Sequence, residues 1–225
     1  MNCLKLFIIL NKMSSELVIK TARWSTFAQI LFGLASFVGF LAPKKNDFLT
    51  ALLVADVVVQ VIELLFYVFF VYYRQLPTSF RYIDWYVTTP VQLVSNVALL
   101  EYFSNKTITL GTFLENNRNE IILIVILNFV MLSFGLLAEF YTRFKTYLVT
   151  IGVVPFVVNF YLIYQKYAVK TTEGIVLNTY VCVIWLLYAL AAYMNYNTKN
   201  IMYNILDIFS KNFYGLFVSV YLFYA

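Results

Sequence analysis

The chain has 225 residues; 62% are hydrophobic, 20% aromatic and only 12% charged, with a formal net charge of +5 and no histidine. A soluble globular domain carries about twice that share of charge. A water-soluble enzyme, a disordered chain and a disulfide scaffold are therefore excluded, and an integral membrane protein remains.

Polar breaks divide the chain into seven apolar runs. The first is expected at about 15–41, ended by Ala42-Pro43-Lys44-Lys45-Asn46-Asp47, and the second at 48–73, closed by Arg74 to Thr78. The third runs from about 80 to 103, followed by a polar loop over 104–118. The fourth is expected at 119–140, the fifth at 144–167, the sixth at 174–195 and the seventh at 200–224. A helix needs roughly 20 apolar residues to cross a hydrocarbon layer of about 30 Å, and irregular backbone cannot face lipid. The expected fold is all-α: one seven-transmembrane-helix bundle over 15–225, without internal repeats. Leu4 to Leu10 is apolar but too short to span, so 1–14 reads as a tail or a short helix on the membrane surface.

The 16 basic residues are scattered, with no run longer than Lys44-Lys45. They read as interfacial residues meeting lipid headgroups, not as a nucleic-acid surface. With the N-terminus outside, six basic residues fall in inner loops and eight in outer segments, among them Lys199, so charge leaves orientation open. Cys3 and Cys182 support neither a disulfide framework nor a thiolate metal site, and the absence of histidine removes His catalysis and His metal ligands.

An ionisable residue inside a membrane is costly and marks function by default. The seventh span holds Asp207 and Lys211 at i and i+4, on one helix face, with Asn204 one turn earlier. That lysine could form a structural ion pair, lose its proton through desolvation, or condense with an aldehyde ligand. In the third span Arg81, Asp84, Thr88, Gln92 and Ser95 step by three or four residues. They make one polar stripe about 20 Å long, which must line an internal path or meet the charges of the seventh span.

Arg81-Tyr82-Ile83-Asp84-Trp85-Tyr86-Val87-Thr88-Thr89-Pro90 in the third span, with Asp207 and Lys211 in the seventh, resembles the microbial (type 1) rhodopsins over roughly residues 15–224. Trp185 and Tyr188 of the sixth span stand at the spacing where that family encloses its retinal. The family's sixth-helix proline and second tryptophan are replaced by Ala189 and Ala192. The trio Asp84, Thr88 and Ser95 is similar to the viral rhodopsins of giant viruses infecting algae and protists.

The resemblance implies a multi-pass protein of a host-cell or viral membrane, expected as a homo-oligomer. It implies all-trans retinal bound to Lys211 as a protonated Schiff base, with Asp84 and Asp207 as counterions and Asp84 as primary proton acceptor. Arg81, one turn from Asp84, would keep it ionised, and Thr88 could hydrogen-bond it. The retinal pocket would comprise Trp85, Thr88, Thr89, Gln92, Trp185, Tyr188 and Ser210. In the related proteorhodopsins Gln stands at the Gln92 position in blue-absorbing members and Leu in green-absorbing ones.

Three functions stay open: an outward proton pump, placed first, a light-gated cation channel, and a photosensor. Pumps often carry a carboxylate at the Ser95 position; a serine stores no proton near neutral pH, and 195–204 contains no Asp or Glu to act as an outer release group. A pump without them should be slow. The channel is favoured by Asp56, Gln60 and Glu63, which follow i, i+4, i+7 in the second span over about 10 Å, unless Asp56 is simply solvated near the interface. Together with Arg81, Ser95 and Asn204 they form the expected ion path for protons or cations. An animal-type seven-helix receptor also carries a seventh-helix lysine but lacks the third-span stripe.

Overall fold

A computed structural model describes residues 3–43, 46–73 and 77–224, with side chains from Glu16 onward. Lys44, Lys45 and Arg74 lie outside the described residues, as do the side chains of Cys3, Lys5 and Lys12.

The elements are α1 (Cys3–Ser36), which tightens into a 3-10 turn at Phe37–Leu41, then α2 (Asp47–Tyr73), α3 (Arg81–Ser104), a short α4 (Leu110–Asn116), α5 (Arg118–Phe140), α6 (Lys145–Lys166), α7 (Thr172–Tyr193), α8 (Tyr196–Asp207) and α9 (Tyr214–Tyr224). Between α8 and α9 the backbone widens into a π-helical stretch, Ile208–Phe213. The helix expected to begin near residue 15 is continuous from Cys3. The loop expected over 104–118 contains α4, nucleated by a capping box in which Thr109 and Thr112 satisfy each other's backbone N–H groups.

Six helical stretches among the described residues are long and apolar enough to cross a membrane, from Glu16–Leu41 to Tyr196–Tyr224. The helix α3 has their length, with 24 residues, but not their apolarity, because it carries the polar stripe. It is sheltered from lipid by packing against α2, α5 and α7. The packing order α1, α2, α3, α5, α6, α7, α8–α9 closes back on α1, and α3 also touches α7 across the ring. Large apolar side chains such as Trp24, Leu34, Leu65 and Val154 point outward, and polar side chains point inward, as a lipid solvent demands.

The chain direction defines two faces. The starts of α1, α3 and α8 and the ends of α2 and α7 share one, called here the amino face; the other ends of these helices share the opposite face. In the opposite half a large apolar core gathers Phe48, Leu49, Leu53, Leu93, Leu99 and Leu100 with Val218 and Leu222. Gly39 closes the far end of α1 onto α9: its N–H donates to Ser219 Oγ at 2.8 Å. A Cβ at this glycine would stand 2.7 Å from a Leu53 methyl and 2.9 Å from Ser219 Cα, so only glycine permits that approach.

Candidate functional site

Lys211 sits inside the π-helical stretch. Such a wide turn occurs mostly at functional sites, and here it carries the lysine into the bundle centre. Its Nζ lies 2.6 Å from Asp84 Oδ2, 3.5 Å from Glu63 Oε1 and 3.9 Å from Asp207 Oδ1. All four groups are buried. Three carboxylates on three helices therefore surround one ammonium. The seventh-span pair expected from the i, i+4 spacing is the longest of the three contacts, and Glu63, expected along an ion path, stands beside the lysine instead.

Arg81 supplies the second buried cation, and its partner differs from the expected one. Its guanidinium reaches past Asp84 to α8, donating to Asp207 Oδ2 at 3.2 Å, Asn200 Oδ1 at 3.2 Å and, at very short range, Asn204 Oδ1. The reason is a row of acceptors, Asn200, Asn204 and Asp207, that faces α3 at helical spacing. Tyr67 of α2 completes this network: its hydroxyl donates to Asp207 Oδ2 at 2.6 Å and accepts from Arg81 Nη1 at 3.1 Å. Asn204 also donates to Val18 O and Thr21 Oγ1, tying α8 to α1. Asn200 donates to Thr78 Oγ1 at 2.9 Å, carrying the network toward the amino face.

On one side of Lys211 a cavity of about 110 Å³ opens between α3, α5, α6 and α7. Trp85, Thr89, Gln92, Trp185, Tyr188 and Ser210 line it, with Lys211 itself at one end. Thr88 does not: it is buried against its own helix and donates to the Asp84 backbone carbonyl at 3.0 Å, beside the Asp84 carboxyl group. Trp85 is wedged edge-on against Tyr82, Tyr203 and Tyr188. Tyr188 donates to Asp207 Oδ1 at 2.5 Å and meets Ser210 Oγ at 2.9 Å, while Gln92 Nε2 donates to Ser210 O at 2.7 Å. Ala189 and Ala192, at the two positions where the resemblance would place a proline and a tryptophan, line the cavity, and Gly135, Gly152 and Phe156 add to the wall.

Beyond Lys211, toward the opposite face, the row on α2 continues. Asp56 is 2% exposed, which rules out the solvated position entertained from sequence. Ser95 Oγ donates to its Oδ2 at 3.2 Å. Gln60 makes long contacts to Ser36 at 3.4 Å and Asn212 at 3.4 Å, and Gly215 lets α9 pass this close, because a Cβ there would overlap the Gln60 amide at 2.0 Å.

Several of these residues escaped the sequence reading. Tyr67, Tyr203, Asn128 and Asn212 are polar or aromatic residues in apolar runs, with no motif to single them out; Asn128 donates to Thr89 Oγ1 at 2.8 Å. Lys199, read as an outer-loop residue, is buried and pairs with Glu139 of α5 at 2.5 Å. A carboxylate thus does stand beside the start of the seventh span, contributed by the fourth.

The bacteriorhodopsin-like protein family matches residues 19–224. Among solved structures the fold is similar to the viral rhodopsin OLPVRII (TM-score 0.78, 23% identity, covering 91% of this chain and 97% of that one). It is also similar to the blue light-absorbing proteorhodopsin from Med12 (0.73, 19%, 91% and 97%) and to the light-driven proton pump rhodopsin of Coccomyxa subellipsoidea (0.69, 18%, 91% and 96%). Comparison with the curated proteins gives no match.

Proposed function

The chain belongs to the bacteriorhodopsin-like family, and from that premise we propose that it is a retinal-binding, light-driven proton pump, outward when the amino face is the outer one. Members of this family bind retinal. The cavity has an almost wholly apolar lining with a few polar groups, it is walled by Trp85 and Trp185, and it ends at a buried lysine, so the residues present fit that group. When bound, retinal supplies light absorption and the photoisomerisation that drives the cycle.

The chain's own residues account for the rest. Lys211 Nζ is the attachment point and holds the proton to be moved. Asp84 Oδ2, at 2.6 Å, is the acceptor, and this contact is the observation that carries the proposal. Its other oxygen, Oδ1, has no hydrogen-bond partner among the described residues, so the acceptor keeps a free lone pair for the incoming proton. Asp207 is already engaged by Tyr67, Tyr188 and Arg81, which fits it for a fixed counter-charge and not an acceptor. On the amino side of Asp84, Arg81, Asn204, Asn200 and Thr78 form a hydrogen-bonded network that leads to the amino face, while leucines close the opposite half. A proton released from Lys211 therefore has a polar exit on one side only.

A second reading, a light-gated cation channel, is favoured by a specific observation: Asp56, Gln60 and Glu63 all face the bundle interior, beside Ser36 and Asn212. Photocurrents recorded across a range of voltages separate the two. A pump's current stays outward at every accessible voltage; a channel's current reverses sign with the ion gradient.

A further inference from the structure

We propose that Asp56, held at Ser95, is the internal proton store that returns a proton to Lys211 Nζ, and that the small cavity between Tyr214 and Ser210 is the passage. The proposal rests on the reading of Lys211 and Asp84 as the proton-transfer pair, and it holds whichever way the net current runs.

The placement comes first. Asp56 lies two helical turns from Glu63, about 10 Å toward the opposite face, whereas Asp84 and Glu63 stand at the level of Lys211. One carboxyl therefore lies on the far side of the lysine from the polar exit. Glu63 cannot fill that role, because at 3.5 Å from Nζ it belongs to the same cluster as the acceptor.

The surroundings of Asp56 suit a neutral, proton-bearing acid. The cations among the described residues do not pair with it: Lys211 is engaged by Asp84, Glu63 and Asp207, and Arg81 by Asp207. Its one hydrogen bond comes from a neutral hydroxyl, Ser95, and Oδ1 has no partner among the described residues. An ionised carboxylate so placed is strongly disfavoured, whereas the protonated acid is tolerated. Toward the opposite face Leu49, Leu53 and Leu99 are fully buried and separate the acid from bulk water in the resting protein.

The passage rests on independent observations. A small cavity of about 10 Å³, room for a single water, is lined by Gln92, Asn96, Ser210 and Tyr214 among apolar side chains. The Tyr214 hydroxyl and both polar atoms of the Asn96 amide are buried without partners among the described residues. A buried water needs two to four polar partners, and this cavity offers them. At one end stands Tyr214, whose hydroxyl lies close to Asp56 and Ser95, and at the other Ser210 and Gln92, which also line the cavity reaching Lys211. In the step proposed, the O–H bond of Asp56 breaks and an N–H bond forms at Lys211 Nζ, with water relaying the proton. Asp56 is left as a carboxylate and takes its next proton from water at the opposite face when the leucine layer opens.

Flash spectroscopy on the retinal-loaded protein separates loss of the Lys211 proton from its recovery. In Asp56→Asn the loss should be unchanged. The recovery should slow by tenfold or more and then by about tenfold for each unit of rising pH, as direct uptake from solution requires. Azide, a small diffusible acid, should restore it, and Asp56→Glu should retain most of the rate. Ser95→Ala, which keeps the acid, should slow recovery more mildly, and it decides the matter if Asp56→Asn does not fold. Infrared difference spectra give a second readout: a protonated-carboxyl band should be lost during recovery in the unmodified protein and be absent from Asp56→Asn. Recovery within twofold of the unmodified rate in both variants after a normal loss, or no carboxyl band assignable to Asp56, overturns the inference alone. An unmodified protein in which Lys211 never loses its proton overturns the transfer pair and this inference with it.

Discussion

The two halves of the bundle, divided at Lys211, are built on opposite principles. Toward the amino face, Arg81, Tyr67, Asn200, Asn204 and Asp207 form one hydrogen-bonded network with its charges paired. Toward the opposite face the interior is a leucine-rich core interrupted by one polar island, Asp56 with Ser95. Among the described residues, the first half has its polar atoms largely satisfied, whereas the second holds unpartnered ones at Asp56, Asn96 and Tyr214. A satisfied network is rigid and fixes where charge sits. An apolar layer with isolated polar groups is a barrier with stepping stones. On the proposed reading, a proton at Lys211 would meet a polar path on one side and an apolar barrier on the other, the asymmetry that vectorial transport requires.

The largest effect is expected where the halves meet. Lys211→Ala removes the one lysine placed at the end of the large cavity; Lys199 is paired with Glu139, and Lys166 and Lys170 pair with Glu120 and Glu101 near helix ends. With retinal added, the variant should show no visible band from covalently attached chromophore, while circular dichroism still reports a helical protein. A coloured Lys211→Ala protein that retains covalent retinal would sink the assignment of the site.

Next in size is Asp84→Asn. The lysine then keeps Glu63 and Asp207 but loses its 2.6 Å partner. Light-driven proton release, followed with a pH electrode on illuminated vesicles, should stop. The dark absorption maximum should move to longer wavelength, because less negative charge holds the positive charge at the nitrogen. Persistent proton release would exclude Asp84 as acceptor.

The halves themselves can be broken one at a time. Arg81→Gln leaves Asp207 buried without its guanidinium, and removing one partner of a buried pair costs about 3–5 kcal/mol; it should also shift the spectrum, since Asp207 lies 3.9 Å from Lys211 Nζ. Leu99→Ala in the other half opens a cavity costing about 2–5 kcal/mol and should leave the dark spectrum in place. Thermal denaturation monitored at the visible maximum gives both numbers. A Leu99→Ala spectrum that moves as far as that of Arg81→Gln would show that the halves are not separable.

How much of this was legible in the chain follows from the range of each interaction. The stripe Arg81, Asp84, Thr88, Gln92 and Ser95 and the row Asp56, Gln60 and Glu63 could be read directly, because helical periodicity is local and a membrane forbids wasted charge. Their partners across the bundle could not. Nothing local says that Arg81 passes over Asp84 to reach Asp207, that Glu63 arrives beside Lys211, or that Asp56 docks on Ser95. The π-helical turn at Ile208–Phe213 is also invisible to a 3.6-residue reading. The same lesson applies twice to carboxylates that seemed to be missing. Ser95 in α3 stores no proton, but α2 brings Asp56 to it; the start of α8 has no acid, but α5 brings Glu139 to Lys199. In each case a carboxylate stands on a neighbouring helix, where a reading of one span at a time does not find it.

The smallest effect tests how finely the boundary between the halves is tuned. Gln92 donates from Nε2 to Ser210 O at 2.7 Å, lines the large cavity and also borders the small one. Its amide is therefore a fixed dipole, oriented by the residue next to Lys211. Excitation of a protonated retinal moves positive charge away from the nitrogen, so a dipole held along the chromophore changes the energy gap. The Gln side chain and Ser210 together should favour the ground-state charge distribution, placing absorption in the blue to blue-green. Gln92→Leu keeps the volume nearly constant and removes the dipole, so the maximum should move to longer wavelength while the protein remains folded and photoactive. Ser210→Ala should act in the same direction, but it also removes a hydroxyl that meets Tyr188 at 2.9 Å, so its shift mixes two causes. Gln92→Leu is the cleaner measurement. A maximum that stays put, or moves to shorter wavelength, would mean that this amide serves only to tie α3 to the seventh span and takes no part in setting colour.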